Sequence, residues 1–356
     1  MDTLVLSHAS ALRAFRKART MYRALPWREP SPAEQRRALD ACRPNASFID
    51  CHLLERHGAM SETKDELHVL VGKGGARRTV PGLTCHVQRP DRLPVHALLR
   101  IDPTLYCCSP TYAALQYSVD RDVPEVLVLL LEMLGTFTLP ADATLPISWG
   151  GFWPDRRTRE DVEQAHYRCD PIVTLGELRS MARWSSRTSG AVFRRAVRLA
   201  AQGAASPCEA IMYGMFAAPL STGGFGIGSF PHGGMRLNHR IDFSERAVRM
   251  SSGIPYAICD AYIPAARTDI EYNGADHEKA NPRIHDGNRN NGLKAMGIDV
   301  LVINREQARD IVALEAIAQT LYKRAGLRLR YRKAGYRTRQ GAWLNGLRKG
   351  MGLPHA

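Results

Sequence analysis

Two acidic side chains on a short apolar hairpin carry the strongest chemical signal in this sequence. The stretch Ala257-Ile-Cys-Asp260-Ala-Tyr-Ile263 reads as one strand and Asp269-Ile-Glu271-Tyr-Asn273-Gly274 as a second. Asp260 and Glu271 are equidistant from the turn at Ala265 and Ala266, so a simple register sets them face to face. Glu271 and Asn273, two apart, share one face of their strand. Two carboxylates held together in an apolar sheet repel one another unless a cation sits between them. Oxygen-rich groups of this kind suit Mg²⁺ or Mn²⁺, which polarise a phosphate oxygen and help generate hydroxide for in-line attack. The other reading is an edge hairpin whose acids simply face water. Asp269 is expected in solvent, outside the face and register of the pair.

These residues need a sheet and helices to hold them. Ser206-Pro-Cys-Glu209 has capping-box spacing and opens a helix that ends near Pro219. Strand-like segments follow at 240–243, 256–263, 269–272 and 298–303. A helix from Pro282 to Met296, stopped by Gly297, precedes the last strand, and a helix from Glu306 to Ala325 follows it. This order predicts an α/β (α+β) fold with a mixed sheet flanked by helices. The glycine runs Gly223 to Gly228 and Gly72-Lys73-Gly74-Gly75 lack the spacing of nucleotide loops and are read as turns.

The region before residue 206 has a different grammar. The first 25 residues read as helical, with Leu4, Leu12 and Phe15 apolar and basic residues between. Ser31-Pro-Ala-Glu34 opens a second helix carrying Arg36 and Arg37. Two short basic helices suit a winged-helix or helix-turn-helix unit, although the diagnostic turn is missing. Short strands are expected at His68–Val71, Thr84–Val87 and Val95–Arg100, then helix over 110–135. Capping boxes at Thr158 with Asp161 and at Thr174 with Glu177 signal two more helices, followed by a basic one through Arg194, Arg195 and Arg198. The expected organisation is a DNA-binding region over 1–138, a linker and helical segment over 139–205, the acid-bearing domain over 206–325 and a basic tail over 326–356.

Composition narrows the partners. In 356 residues, 49 Lys and Arg face 35 Asp and Glu, a net charge of +14, which favours an acidic partner such as nucleic acid. In the tail, Arg328, Arg330, Arg332, Lys333, Arg337 and Arg339 alternate with Tyr322, Tyr331, Tyr336 and Trp343, a pattern of phosphate contacts and stacking platforms. No apolar run is long enough to span a membrane and no signal peptide is visible, so a soluble cytoplasmic protein is expected. The eight cysteines form no CxxC pair and read as reduced thiols; Cys42, Cys51, His52 and His57 match no standard zinc spacing.

Taken together, Asp260, Glu271-Tyr-Asn-Gly274, His277, Asp286, Arg289, Leu293 and Gly297-Ile-Asp-Val300 resemble the very-short-patch-repair-type endonuclease domain of the PD-(D/E)XK superfamily. That domain reads E-x-D-G-x-x-H, then D-x-x-R-x-x-x-L-x-x-x-G-x-x-V. The likeness covers roughly residues 206–322. It implies Asp260 and Glu271 as metal ligands, Glu209 as the helix carboxylate completing the site, and His277 at the mouth for phosphate contact or proton transfer. Asp286 and Arg289 would form a supporting ion pair. Asn273 departs from the pattern, where the superfamily has Lys and this branch often an acid, and that departure bears on activity. Leu6-Ser-His-Ala-Ser-Ala-Leu12 and Val80-Pro-Gly-Leu-Thr-Cys-His86 resemble AbiEi-like antitoxin and regulator proteins. The resemblances imply a bacterial, divalent-metal-dependent DNA endonuclease linked to defence, repair or a toxin-antitoxin-like system. The alternatives are an inactive nuclease fold kept as a DNA-binding regulator and an RNA-directed toxin component.

Overall fold

The computed structural model describes residues 3–44, 49–60, 66–78, 81–141, 165–187, 190–273, 280–332 and 334–356. The chain divides into two compact units, Met1–Ala200 with Lys349–Pro354, and Ala201–Arg348 with His355–Ala356. Both mix helix with sheet.

The first unit begins with a strand, β1 (Leu4–Leu6), where helix was expected. Its three residues are all buried, as central strands require. Next come α1 (His8–Met21), α2 (Pro32–Ala41), α3 (Cys51–Arg56), β2 (Leu67–Val71), β3 (Leu83–Val87), β4 (Leu98–Arg100) and β5 (Leu105–Cys108). The sheet order is β3-β2-β1-β5-β4, with β1 parallel to β5 and antiparallel to β2. Helices α4 (Pro110–Tyr117) and α5 (Val123–Leu134) follow, then the short strands β6 (Phe137–Thr138) and β7 (His166–Tyr167), then α6 (Leu175–Trp184) and α7 (Ala191–Leu199). All twelve residues of α5 are buried, which explains the long apolar run in the sequence. The Thr174–Glu177 capping box forms in full at the start of α6; the one proposed at Thr158 and Asp161 lies outside the described residues.

The three arginines of α1 do not face outward as a nucleic-acid-binding helix would need, and of its basic residues Lys17 is exposed. Arg13, Arg16 and Arg19 are each 2–3% exposed. Spaced three apart, they line one side of the helix, and Arg16 and Arg19 bind the end of α5 there. Charge count alone therefore misreads this helix.

The second unit runs α8 (Pro207–Ala217), β8 (Arg236–Asp242), α9 (Glu245–Met250), β9 (Tyr256–Ile263), β10 (Thr268–Asn273), α10 (Ala280–Ala295), β11 (Asp299–Asn304), α11 (Ile311–Arg324) and α12 (Tyr336–Gly350). Its sheet has the order β11-β10-β9-β8. The pairs β8–β9 and β9–β10 are antiparallel and β10–β11 is parallel, so α10 is the crossover the parallel pair demands. Gly297, at φ +70°, ends that crossover in the left-handed conformation glycine adopts at low cost. Leu293 of α10, together with Ala257, Cys259, Tyr262 and Ile298, forms the core under the sheet.

Fifteen residues of the expected basic tail form the helix α12. Trp343 is buried and its Nε1 donates to the carbonyl of Gly214 at 3.0 Å. Gly214 allows this approach, because a Cβ there would lie 2.6 Å from Leu347. Tyr322 is also buried, with its hydroxyl donating to the Phe225 carbonyl at 2.9 Å. Two of the four proposed stacking platforms are thus core residues. Tyr331 and Tyr336 stack on each other, with ring centroids 3.7 Å apart.

Candidate active site

The strands β9 and β10 hold the expected register only part of the way. Thr268 pairs with Ile263, Asp269 with Tyr262 and Ile270 with Ala261, and the ladder ends one step before Glu271 and Asp260. Side chains replace the missing rungs. The Ala261 amide donates to Asp269 Oδ1 at 3.3 Å, and the Ile258 carbonyl accepts from Arg289 at 2.6 Å. The carboxylates therefore belong to a wedge between two parting strands, not to a bare facing pair.

Arg289 is the centre of that wedge. It lies four residues before the buried Leu293, so the core contact of α10 turns its guanidinium toward the sheet. Nη2 binds Asp269 Oδ2 at 3.0 Å, and Nη1 binds Glu271 Oε1 and the Asn290 side chain. Sequence reading paired Arg289 with Asp286. Its partners among the described residues are these instead, and the Asp286 side chain lies outside them.

Asp269 corrects a second expectation. It is fully buried rather than solvated. Two residues before Glu271 in an extended strand, it shares that residue's face, and both acids reach the same guanidinium. The period of two in the sequence carried this signal. Burial, reinforced by the charge of Glu271, pushes its carboxyl up to about 6, against the pull of Arg289.

Glu209 stands at the first turn of α8. Its amide donates to Ser206 Oγ at 3.2 Å, and Ser206 Oγ donates back to Oε1 at 2.9 Å. Oε2 accepts from the Ala205 amide at 2.9 Å and from Asn238 Nδ2 at 2.8 Å. Even with these donors its carboxyl is pushed up to about 7, first by burial and also by the charge of Asp260. Asn238, which sequence reasoning missed, explains the link. The β8–β9 register sets it opposite the partly buried Asp260, since Leu237 pairs with Ala261 and His239 with Cys259. It has φ +44°, and its amide also donates to the Gly203 carbonyl at 2.6 Å. No motif in the sequence marks it.

Glu209 and Asp269 each feel the charge of Asp260, Asp269 also feels that of Glu271, and among the described ion pairs Arg289 is the cation that binds Asp269 and Glu271. A hard divalent ion suits this donor chemistry, because Mg²⁺ commonly takes one or two carboxylates and leaves its other positions to water and substrate phosphate. Asp260 and Glu271 remain the residues for that role. Glu209 fits less well, with both oxygens already hydrogen-bonded. Among the described residues, no three His, Cys, Asp or Glu side chains are gathered as a metal-ligand set.

Asn273 ends β10 opposite Asn304 of β11; its side chain, like His277 as a whole, lies outside the described residues. Beside Arg289 a groove of about 530 Å³ runs along residues 252–258. Tyr256 and Ile258 are exposed there, with the Arg240 guanidinium 3.8 Å above the Tyr256 ring. Elsewhere in the unit Arg328, Arg330 and Arg332 are exposed, Arg337 pairs with Glu315 at 3.5 Å, and Arg339 donates to the Ala334 carbonyl at 3.1 Å. Lys333 is outside the described residues.

Among the described residues, no helix is long and apolar enough to cross a membrane. Compared with known protein families, curated proteins and solved structures, the chain matches none.

Proposed function

We propose that the second unit hydrolyses DNA phosphodiester bonds as a divalent-metal-dependent endonuclease. The observation that carries this reading is the gathering of four carboxylates, Glu209, Asp260, Asp269 and Glu271, whose charges act on one another, with Glu209 and Asp269 raised to about 7 and 6. A surface built only to hold DNA gains nothing from four carboxylates, which repel the phosphate backbone. A hydrolytic site gains a place for a cation and an acid that titrates near neutral pH. Asp260 and Glu271 would hold Mg²⁺ or Mn²⁺, and the ion would supply Lewis acidity and a more acidic water. Arg289 orients Glu271 and offsets part of the acid repulsion. Glu209, near half-protonated at neutral pH, accepts or releases a proton at the edge of the cluster. The exposed Arg328, Arg330 and Arg332 supply phosphate contacts without sequence preference.

A second reading has its own support. Glu271 is already engaged by Arg289, and Asn273 replaces a residue the chemistry usually uses, so the fold would serve as a DNA-binding regulator. Supercoiled plasmid incubated with Mg²⁺, Mn²⁺ or chelator separates the two. Metal-dependent nicking is expected, reduced on the order of 100-fold or more by Asp260→Asn and by Glu271→Gln. Cleavage that persists in Glu271→Gln sinks the site assignment. Salt-sensitive DNA binding with no cleavage under either metal selects the regulator, and preference for an RNA substrate of the same sequence would replace DNA as the target.

A further inference from the structure

The first unit contains a cluster of rings that the proposed chemistry of the second does not use. His8, His68 and His86 come from α1, β2 and β3. The parallel pairing of Leu70 with His86 and His68 with Thr84 brings the two strands together. His68 Nδ1 and His86 Nε2 share a hydrogen bond of 3.0 Å, and the His8 ring lies flat on His86 with centroids 3.4 Å apart at 17°. Behind them Glu66, itself bound by Thr84 Oγ1, stands 3.7 Å from His68 Nε2. In front is a cleft of about 260 Å³ reached by His8, His86, Arg77, Cys85, Gln88 and Tyr112.

Two features say that the cluster is more than packing. His8 sits at φ +48°, a left-handed conformation that is strained for a non-glycine residue and persists only where surroundings enforce it. The enforcing contact is its amide donating to Gln116 Oε1 at 3.1 Å. Second, no carboxylate lines the cleft among the described residues. Around the rings stand Arg13 of α1, Arg77 of the loop after β2, Cys85 of β3 and Tyr112 of α4, with Glu66 held against His68 Nε2.

A metal ion is the wrong occupant. Rings stacked nearly parallel send their nitrogen lone pairs side by side instead of toward one point, and no three ligands converge among the described residues. The neutral polar groups are also occupied. Gln88 donates to the Arg89 and Arg92 carbonyls and accepts from Tyr112, while Gln116 serves His8 and Cys108. Among the described residues, His86 Nδ1, His8 Nε2 and the exposed Arg77 guanidinium remain. These are donors for an anion.

We infer that this cleft binds a phosphate group, held between Arg77 and the paired rings of His8 and His86. The group would belong to a free phosphate, a terminal phosphomonoester or a nucleic-acid diester. Lys73 and Arg78, exposed on the same loop as Arg77, extend the positive rim. The titration directions agree. Burial, then neighbouring positive charge, lowers all three imidazoles, His8 to about 2 and His68 to about 4, with Arg77 the charged neighbour of His86. A bound anion reverses that field, so binding draws protons onto the rings and strengthens as pH falls.

Isothermal titration of the full chain tests this with inorganic phosphate, pyrophosphate, a 5′-phosphorylated dinucleotide and its unphosphorylated counterpart. Binding of at least one ligand is expected, several-fold tighter at pH 6 than at pH 8, with proton uptake visible as a buffer-dependent heat. Arg77→Gln, an exposed change that leaves the fold intact, should weaken it about tenfold, and His86→Phe should weaken it while keeping a stacked ring. Tighter binding of the 5′-phosphorylated dinucleotide assigns a terminal phosphate. Equal affinity for both dinucleotides assigns the diester, and preference for the inorganic ions a free phosphate. Absence of binding to all four, or affinity unchanged in Arg77→Gln, overturns the site.

Discussion

Each unit sets an arginine against a buried acid, and the two solutions are opposites. In the first, Arg16 grips both oxygens of Glu132 at 3.0 and 2.8 Å, while the Thr138 hydroxyl and the Leu139 amide both donate to Oε1 at 3.0 Å. Burial alone would raise Glu132, yet the charge and hydrogen bonds of Arg16 hold it below the ordinary carboxylate range. In the second, Arg289 is shared by Asp269 and Glu271, with Asp260 and Glu209 close enough to push carboxyls upward. A carboxylate held down by its own arginine and hydrogen bonds is architecture. Carboxylates that raise one another are under stress, and stress of that kind suits a site where a ligand relieves it.

The contrast is broken most sharply by removing one partner from each. Glu132→Ala should cost about 3–5 kcal/mol, because Arg16 is left charged and 4% exposed. Hydrogen exchange read by mass spectrometry should place the loss in α1, α5 and their neighbours. A loss below about 1 kcal/mol would mean the closed pair is not structural. Arg289→Met should cost less, about 2–3 kcal/mol at pH 8, and the cost should shrink toward pH 5 as Asp269 takes a proton. Equal losses at both pH values would show that packing, not charge, is what Arg289 contributes.

Why the sequence revealed one cluster and hid the other is a matter of range. Strand β9 runs from Tyr256 to Ile263 as its apolar alternation predicts, and the Ser206 and Thr174 caps form because a capping box is local. Asp260 and Glu271 were visible for the same reason, since hairpin register is set within a dozen residues. The partner of Arg16 is 116 residues away, so its helix read as one of two basic helices suited to a DNA-binding unit. Trp343 and Tyr322 looked like stacking platforms because nothing nearby in sequence announces that Gly214 and Phe225 receive them. Asp269 differs. Its face was legible, and its burial depended on an arginine from the crossover helix filling the gap between parting strands.

The smallest expected effect follows from the signs of the titrations. Glu132 is lowered in the folded state, so its stabilisation is present above the unfolded value and disappears as pH falls through the folded one. Glu209 and Asp269 are raised, from 4.5 to about 7 and from 3.8 to about 6. Their contribution is complete below the unfolded values and is lost as pH rises through the folded ones. The two units should therefore respond in opposite directions: acid loosens the first, and the second weakens between about pH 4 and 7 by roughly 1–3 kcal/mol. Exchange protection followed across that range should show the crossing. Glu209→Gln should flatten the slope of the second unit, whatever offset follows from a side chain that offers one acceptor to three donors. Millimolar Mg²⁺ should flatten it as well, because an ion held by Asp260 and Glu271 relieves the repulsion that raises both neighbours. If the slope survives Glu209→Gln and Mg²⁺ leaves protection unchanged at pH 8, the carboxylates are not waiting for a cation, and the regulator reading gains the ground the endonuclease loses.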